Sequence, residues 1–487
     1  MRRARPSIVA LALVPAALLA GCGSSSGGGN GAAGIVPASA AAYIAVDTDR
    51  GSSQWKAADA LAGRFPDKAK AIASVERSAK NEGIDVKRDV EPALGSEVDI
   101  AWLDFENGGQ DVVVLLKPDD TDAFKRIVAR GNAKDPTSKV VYETVGDWEA
   151  LADSKAVLDR FSRLSSAGGP MLADDAAFKG AMKAVSQDSL FRAYVNGTEV
   201  MKAIRGQGNA TVDKLLGKVG KLDWLVAGVG AASDGIRFDT VVRGTPGKAL
   251  HGNGGETAFK PSLPDTVPGD ALLYLSFHGS KGMFGSLEKL PQLDTDNLRP
   301  VSKLLQSLGT LLQGENAIYV RNPPAGKKLP EITLVADPGT GEDAAATLDR
   351  ALAQKSLKLG KEPKAETIGG IAARSLDLGP VSIVYADIGN RLVVTDGASG
   401  IEAAAHPATT LSGSKDFSDA STQAGLPANT QGFLYVNVTG GLALGQRLAS
   451  APIPASVKRD LKPLRSAIEY GVTRPSEIQV TFFLRIT

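Results

Sequence analysis

The chain of 487 residues repeats its own sequence pattern in its second half. A β-prone run that contains Tyr43 follows a Val-Pro pair, and a similar run that contains Tyr274 follows another Val-Pro pair. Such matches recur in the same order along the chain at offsets of roughly 220 to 243 residues, which indicates a tandem duplication. The other matched positions are Pro118 and Pro338, Asp153 and Asp396, Phe178 and Phe417, Tyr194 and Tyr435, and Ile236 and Ile478.

This repetition divides the chain into two predicted repeats, 36–243 and 267–487, joined by a Gly- and Pro-rich linker over 244–266. In each repeat β-prone runs alternate with helical patterns, and hairpins outnumber strand–helix–strand crossovers, so mostly antiparallel pairing is expected. The predicted fold class is α+β, with two pseudo-symmetric halves whose twisted sheets carry helices packed on one face. The second half contains an extra predicted strand pair at 371–378 and 382–387. The sequence leaves open whether the halves are separate domains or share one sheet.

The first residues have the pattern of a secretory signal peptide. Three arginines precede an apolar run over 8–19, which is followed by small residues and by Cys22. About a dozen apolar residues are too few to span a bilayer, so 1–21 is predicted to be a cleaved signal peptide. The sequence Leu-Ala-Gly-Cys that ends at Cys22 resembles the lipobox of bacterial lipoproteins, in which the cysteine sulfur receives a diacylglyceryl group. We therefore expect a lipid on Cys22 and a flexible Gly/Ser tether over 22–35.

Short motifs that follow the predicted tether resemble a known family. They are Val36-Pro37 before the first β-prone run, Gly83-Ile84-Asp85, and the stretch 89–97. On these motifs the chain is similar to the bacterial lipoprotein family catalogued as domain of unknown function 3352, which is common in actinobacteria. The resemblance implies a lipoprotein, and it brings no established activity, cofactor or site residue.

Composition and motif content exclude several functional classes. The formal net charge is +1, whereas nucleic-acid-binding domains usually carry a clear basic excess. The histidines, His251, His278 and His406, show no metal-ligand spacing, and no nucleophile elbow or phosphate-binding loop occurs. Cys22 is the only cysteine, so lipidation leaves no thiol for a disulfide or a zinc site. We expect no cofactor, no nucleic-acid partner and no enzymatic activity.

Two weaker patterns keep alternative interpretations open. Asp47 and Asp49 stand two residues apart, as do Asp294 and Asp296, and paired carboxylates are one element of calcium sites. Neither pair continues into a calcium-binding loop, so a strand end or a helix start is the preferred interpretation. The tryptophans line either a ligand cavity or, as is commoner for large rings, the core. They are Trp55, Trp102, Trp148 and Trp224.

Six basic residues form a more specific pattern. Three of them share one face of a predicted helix over 211–221, and the other three follow 244 residues later with the same spacing. One interpretation is a solvent-exposed amphipathic face, and the other is a surface that contacts anionic lipid or a cell-wall polymer. The six residues are Lys214, Lys218, Lys221, Lys458, Lys462 and Arg465.

Together these patterns predict a non-enzymatic protein that a lipid holds on the extracytoplasmic face of the cell membrane, where it binds or scaffolds another envelope component. The alternative is a carrier for a lipid or another apolar ligand. A large apolar cavity favours the carrier, whereas a filled core with an exposed patch favours the scaffold.

Replacement of the cysteine tests the predicted anchor. Because each buried acyl CH₂ contributes about 0.8 kcal/mol to membrane binding, a lipidated Cys22 should keep the protein in the membrane fraction. The Cys22→Ser variant should instead be soluble after fractionation and a salt wash, and the neighbouring Ser25→Ala variant should stay with the membrane. Complete retention of Cys22→Ser in the membrane fraction would contradict lipid anchoring.

Overall fold

The computed structural model describes residues 31–106, 108–206, 220–246, 258–279, 311–338, 343–352, 361–377, 379, 382–449 and 453–487. Within these ranges the chain forms twelve α-helices and one sheet of eighteen strands, and every strand pair is antiparallel. The mixed composition and the antiparallel pairing confirm the predicted α+β class.

The strands are, in chain order, β1 (Ala42–Asp47), β2 (Glu97–Trp102), β3 (Val112–Leu116), β4 (Val141–Val145), β5 (Trp148–Ala152), β6 (Phe191–Asn196), β7 (Gly220–Ala232), β8 (Gly235–Pro246), β9 (Leu273–His278), β10 (Glu315–Arg321), β11 (Glu331–Asp337), β12 (Lys364–Ile368), β13 (Ile371–Asp377), β14 (Ser382–Ile388), β15 (Arg391–Thr395), β16 (Gly432–Asn437), β17 (Leu464–Arg474) and β18 (Glu477–Ile486).

The α-helices are α1 (Ser53–Ala62), α2 (Lys68–Asn81), α3 (Glu91–Leu94), α4 (Thr121–Lys134), α5 (Lys155–Ser166), α6 (Ala176–Ala184), α7 (Gly197–Gly206), α8 (Ala344–Leu352), α9 (Ala398–Ala405), α10 (Lys415–Ala424), α11 (Val438–Leu448) and α12 (Ala455–Leu461).

The order of strands across the sheet follows from their pairing. The first half contributes β4-β5-β3-β2-β1-β6-β7-β8, and the second half continues with β18-β17-β16-β9-β10-β11-β15-β14-β13-β12. The extra pair predicted at 371–387 forms β13 and β14, but β14 pairs with β15 much as β4 pairs with β5. The strands without a counterpart in this order are therefore β12 and β13, and the sequence did not predict β12.

Helices cover both faces of the sheet, which corrects the prediction that they pack on one face. Every residue of β3 is buried, and its alternate residues join different apolar clusters. Val113 packs in the cluster that contains Phe161 of α5, whereas Val114 packs in the cluster that contains Phe124 of α4. The second half has the same arrangement, with α10 in one cluster and α8 in another. The run Val-Val-Val-Leu-Leu has no polar face, so it requires cover on both sides.

The folded body begins before the predicted end of the tether. Gly31–Gly34 forms a short 3-10 helix, Ala32 is completely buried, and its N–H donates to Oδ2 of Asp99 at 2.7 Å. The φ of Gly31 is 52°, and a Cβ at this position would have to displace the Glu97 carboxylate, so glycine is favoured here. The last five residues of the predicted tether are therefore part of the fold, and the others lie outside the described residues.

The two predicted repeats meet where β8 pairs with β18, a junction that we call the seam. Nine residue pairs join these strands, from Gly235 opposite Arg485 to Arg243 opposite Glu477. The halves therefore share one continuous sheet, which answers the question that the sequence left open.

A buried polar cluster lies at the middle of the seam. Asp239 accepts hydrogen bonds from the Thr481 hydroxyl at 2.7 Å and from Nε of Arg237 at 2.7 Å. Arg237 also donates from Nη1 to the carbonyl oxygen of Ala424 at 2.7 Å, and the Tyr470 hydroxyl donates to the same oxygen at 3.0 Å. The cluster thus joins one strand of the first half to two strands and one helix of the second half.

Removal of the Asp239 carboxylate tests how much the polar cluster at the seam stabilises the folded protein. Asp239→Ala leaves Arg237 without its ionic partner and Thr481 without its acceptor, so the free energy of unfolding should fall by roughly 2–4 kcal/mol. Glu366→Ala, at an exposed position on the edge strand β12, should change it by less than about 0.5 kcal/mol. Urea denaturation of both variants measures the difference, and equal stabilities would show that the seam cluster contributes nothing specific.

Candidate functional site

An apolar pocket of about 530 Å³ lies beside the seam, between α1, the start of α2 and the ends of the central strands. Its volume falls within the range of about 300–1,000 Å³ that is usual for small-molecule sites. The two helices present Trp55, Leu61 and Ile72, and the segment between them presents Phe65. The floor and the opposite wall belong to the sheet and the segments that adjoin it. Their apolar residues are Leu190, Ala231, Ile236, Leu464, Leu484 and Ile486. We call this cavity the seam pocket.

Helix α1 is fixed at the edge of the pocket by hydrogen bonds to the sheet. The Ser52 hydroxyl caps the helix by accepting from the N–H of Trp55 at 3.2 Å. The buried side chain of Gln54 accepts from the N–H of Ala231 at 2.7 Å and donates to its carbonyl oxygen at 3.2 Å. Nε1 of Trp55 donates to the carbonyl oxygen of Asp47 at 2.8 Å. These contacts hold the Trp55 ring at the ends of β1 and β7.

Helix α2 forms the weakly packed wall of the pocket. None of its fourteen residues is buried. Its far end contacts a small cluster through Ala79, which packs against Val86 and Val90, whereas its first turns border the pocket through Ala71 and Ile72. A helix with so little buried surface opens at low free-energy cost.

The rim of the pocket is polar, and two of its ion pairs join its walls, whereas Oδ1 of the lining residue Asp460 is buried without a hydrogen-bond partner among the described residues. Nζ of Lys68 lies 2.6 Å from Oδ1 of Asp59, and Arg459 of α12 lies 3.0 Å from Oδ2 of Asp67. Nη2 of Arg64 donates to the carbonyl oxygen of Ser233 at 2.7 Å. Such partly exposed ion pairs contribute only about 0–1 kcal/mol each. These ion pairs therefore hold the side chains at the entrance in place but can be opened at little free-energy cost.

The three predicted basic residues of the second half lie beside this pocket. Lys458, Lys462 and Arg465 are exposed, and they alternate with Asp460 and Leu464, which line the pocket. The prediction that all three share one helical face is wrong. Helix α12 ends at Leu461, and the proline at 463 precludes its continuation, so Arg465 lies in strand β17.

The predicted basic residues of the first half do not join them. Lys214 and Lys218 lie outside the described residues. Lys221 lies in strand β7 rather than in the predicted helix, and its ammonium group is 2.9 Å from Oδ1 of Asp223. Ala231 at the pocket stands ten positions after Lys221 in β7, a distance of about 33 Å along the strand. Lys221 and the second-half cations therefore occupy opposite ends of the central strands.

Of the two carboxylate pairs, Asp294 and Asp296 lie outside the described residues, whereas Asp47 and Asp49 have a structural role. Asp47 accepts from the N–H of Asp49 at 2.8 Å and from the Ser52 hydroxyl at 2.6 Å, which orders the turn between β1 and α1. Among the residues that the structure describes, no group of three His, Cys, Asp or Glu side chains is arranged to hold a metal ion. Trp224 is buried in the core, whereas Trp55 lines the pocket.

A buried carboxyl pair fixes the N-terminal segment to the sheet, and the sequence prediction missed it. Glu97 and Asp99 stand two residues apart in β2, so both side chains lie on one face. Oδ1 of Asp99 and Oε1 of Glu97 are buried without a hydrogen-bond partner within the described part of the chain. Burial, reinforced by the neighbouring Glu97, raises the pKa of Asp99 well above its usual range, and burial also raises the pKa of Glu97. Two acids at spacing two in an otherwise apolar strand are a signal that sequence reading can detect.

Comparison with known proteins places the chain in a family. A family model described as "Protein of unknown function (DUF3352)" matches residues 7–484. The chain belongs to this family. The DUF3352 match spans both halves of the sheet, and it confirms the family that the motifs predicted. No curated protein matches the chain.

One solved structure is similar to this DUF3352 protein. It is described as "Structure of crystal form IV of TP0453", has 14% sequence identity, and covers 44% of this chain and 76% of that chain with a TM-score of 0.26. A similarity this weak supports no functional conclusion. In the ranges that the structure covers, no helix is long and apolar enough to cross a membrane.

Replacement of Asp99 by a neutral residue tests whether its carboxyl group is protonated in the folded state. Because the pKa of Asp99 is higher in the folded than in the unfolded chain, its protonated form stabilises the fold at low pH. That stabilisation is lost as the pH rises from the unfolded pKa, about 3.9, through the raised folded pKa. In Asp99→Asn the amide oxygen can still accept from the N–H of Ala32, but the side chain no longer titrates. The free energy of unfolding of this variant should therefore decrease less between about pH 4 and 8 than that of the unmodified protein.

Denaturant titrations at several pH values measure this difference. Asp99→Ala is the control for the hydrogen bond itself, and at every pH it should be about 1–3 kcal/mol less stable than Asp99→Asn because the N–H of Ala32 loses its acceptor. Identical pH dependence of the unmodified protein and Asp99→Asn would contradict a raised pKa.

Proposed function

We propose that this protein is a lipid-anchored protein of the extracytoplasmic membrane face and that it binds an apolar ligand in the seam pocket. The observation that carries the proposal is the pocket itself, a preformed cavity of about 530 Å³ whose interior is built from aromatic and aliphatic side chains. Its polar groups stand at the rim, where Lys68 and Arg459 already hold ion pairs. Apolar ligand surface that is buried in such a site stabilises the complex by about 25 cal/mol per Å².

The sequence supports the proposed location. Cys22 follows a signal-like segment and stands nine residues before Gly31, where the described fold begins. Nine residues span at most about 30 Å when fully extended. A lipid on Cys22 would therefore keep the folded body close to the membrane surface.

We also propose that the two halves arose by tandem duplication. Tyr43 pairs with Tyr194 between β1 and β6, and Tyr274 pairs with Tyr435 between β9 and β16. The ring of Phe178 packs edge-on against Tyr43 and Tyr194, with centroid distances of 5.5 and 5.1 Å. In the second half Phe417 packs edge-on against Tyr435 at 5.2 Å. These matched registers and contacts support a common origin of the halves.

A scaffolding role is the second candidate function. Phe238 of β8 is 40% exposed and Val480 of β18 is 37% exposed. The Phe238 ring lies 5.8 Å from that of Phe482, and residues 236 and 238 occupy the same face of β8, so this patch continues the floor of the pocket. An envelope partner with an apolar surface would bind here instead of a small ligand in the pocket.

Filling the pocket tests the proposed ligand site. Ala58 of α1 lines the pocket, so the larger side chain of Ala58→Phe should occupy ligand volume. Ala60→Phe is the matched control, because Ala60 is exposed on the same helix. Affinity for the apolar fluorescent probe N-phenyl-1-naphthylamine should fall at least tenfold, about 1.4 kcal/mol, in Ala58→Phe and less than twofold in Ala60→Phe.

The measurement is fluorescence titration with the soluble Cys22→Ser form of each protein, together with thermal unfolding to verify that both variants are folded. Absence of probe binding by the unsubstituted form, or equal binding by both variants, would contradict the carrier function and leave the scaffold as the better proposal.

A further inference from the structure

The N-terminal segment enters the fold at one end of the sheet. Gly31 contacts Glu97, the first residue of β2, and Ala32 is bonded to Asp99 on the same strand. Glu97 pairs with Asp47, the last residue of β1. The tether that leads back to Cys22 therefore leaves the body beside the end of β1 and the start of β2.

The seam pocket opens at this same end. The carbonyl oxygen of Asp47 accepts a hydrogen bond from Nε1 of Trp55, and the N–H of Asp47 donates to the carbonyl oxygen of Leu190 at 3.0 Å. Trp55 and Leu190 both line the pocket. In the strand order β2-β1-β6-β7, three spacings separate the tether exit from Ala231. At about 4.8 Å per spacing, strands β2 and β7 are about 15 Å apart across the sheet.

The length of the tether limits how the body can be oriented. The nine residue steps from Cys22 to Gly31 reach at most about 30 Å, which is similar to the length of the central strands. With a lipid on Cys22, the pocket end would be held within about 30 Å of the bilayer, whereas the opposite end, which carries Lys221, could lie about one strand length further away.

The charge on the pocket end suits an anionic membrane. Lys458, Lys462 and Arg465 are exposed next to the entrance. On a chain of net charge +1 these cations form a local patch, which the carboxylate of Asp460 between them partly offsets. Lipid headgroups attract basic residues within about one Debye length, about 8 Å at physiological salt. The weakly packed helix α2 borders the same entrance.

We propose that the seam pocket faces the leaflet that holds the lipid on Cys22 and exchanges its apolar ligand directly with that leaflet. The partner surface is an anionic lipid bilayer, and the ligand enters past α2 without crossing bulk water. This inference rests on the proposed ligand site, and it adds an orientation and a route that the ligand site alone does not require.

Labelling at single cysteines tests the orientation. Because the only native cysteine carries the lipid, Ala71→Cys beside the pocket and Thr245→Cys at the opposite end each provide one free thiol for a fluorophore. The lipidated proteins are reconstituted in vesicles that contain about 30% phosphatidylglycerol and quencher-bearing headgroups. Fluorescence at residue 71 should be quenched at least threefold more than at residue 245. Equal quenching, or stronger quenching at residue 245, would overturn the proposed orientation.

The exchange route is tested by the rate at which a lipid-like fluorescent probe moves from these vesicles into the pocket. Changing Lys458, Lys462 and Arg465 together to Gln should slow transfer at least fivefold at low salt and much less at physiological salt. The matched control changes Lys221, Arg243 and Arg474 to Gln, which removes the same charge at the opposite end and should alter the rate less than twofold.

Solution binding separates this inference from the proposed function. If the soluble Cys22→Ser form binds the probe but the two triple variants transfer it at equal rates, the membrane route is wrong and the ligand site stands. If the soluble form does not bind the probe, the ligand site itself is wrong.

Discussion

Nine residue pairs between β8 and β18 join the two halves of the chain into one sheet. A single ladder would slide or fray more readily than one with side-chain contacts across it, and here a buried cluster fixes the register. Asp239 is bonded both to Arg237 on its own strand and to Thr481 on the partner strand. Breaking such a cluster leaves a desolvated charge, so the register is strongly preferred.

The seam pocket is one consequence of that alignment. Its floor combines Ile236 of the first half with Leu484 of the second, which face each other in the ladder. Its rim likewise joins Asp67 of the first half to Arg459 of the second. A site of this kind forms only when both halves are folded and joined. Ligand binding and the stability of the seam should therefore be coupled.

Sequence patterns predicted the elements better than their assembly. Alternation of side chains and the matched tyrosines predicted strands that do form, and Tyr43 and Tyr274 occupy comparable registers. The pairing of β8 with β18 had no local signal, because a strand pattern does not identify its partner. The pocket combines α1 with strands more than 150 residues away, and no spacing rule connects such segments.

Two errors were local. The all-apolar β3 already indicated cover on both faces, and the proline at 463 already indicated the end of α12.

The central claim is that an apolar ligand occupies the seam pocket. It is tested most directly by a high-resolution crystal structure of the soluble Cys22→Ser form, purified from its native host without added detergent. We expect continuous elongated electron density between the Trp55 ring and Leu484, with the rim ion pairs retained or opened around it. A pocket filled by its own side chains, with α2 packed onto the sheet and no space for a ligand, would contradict the claim.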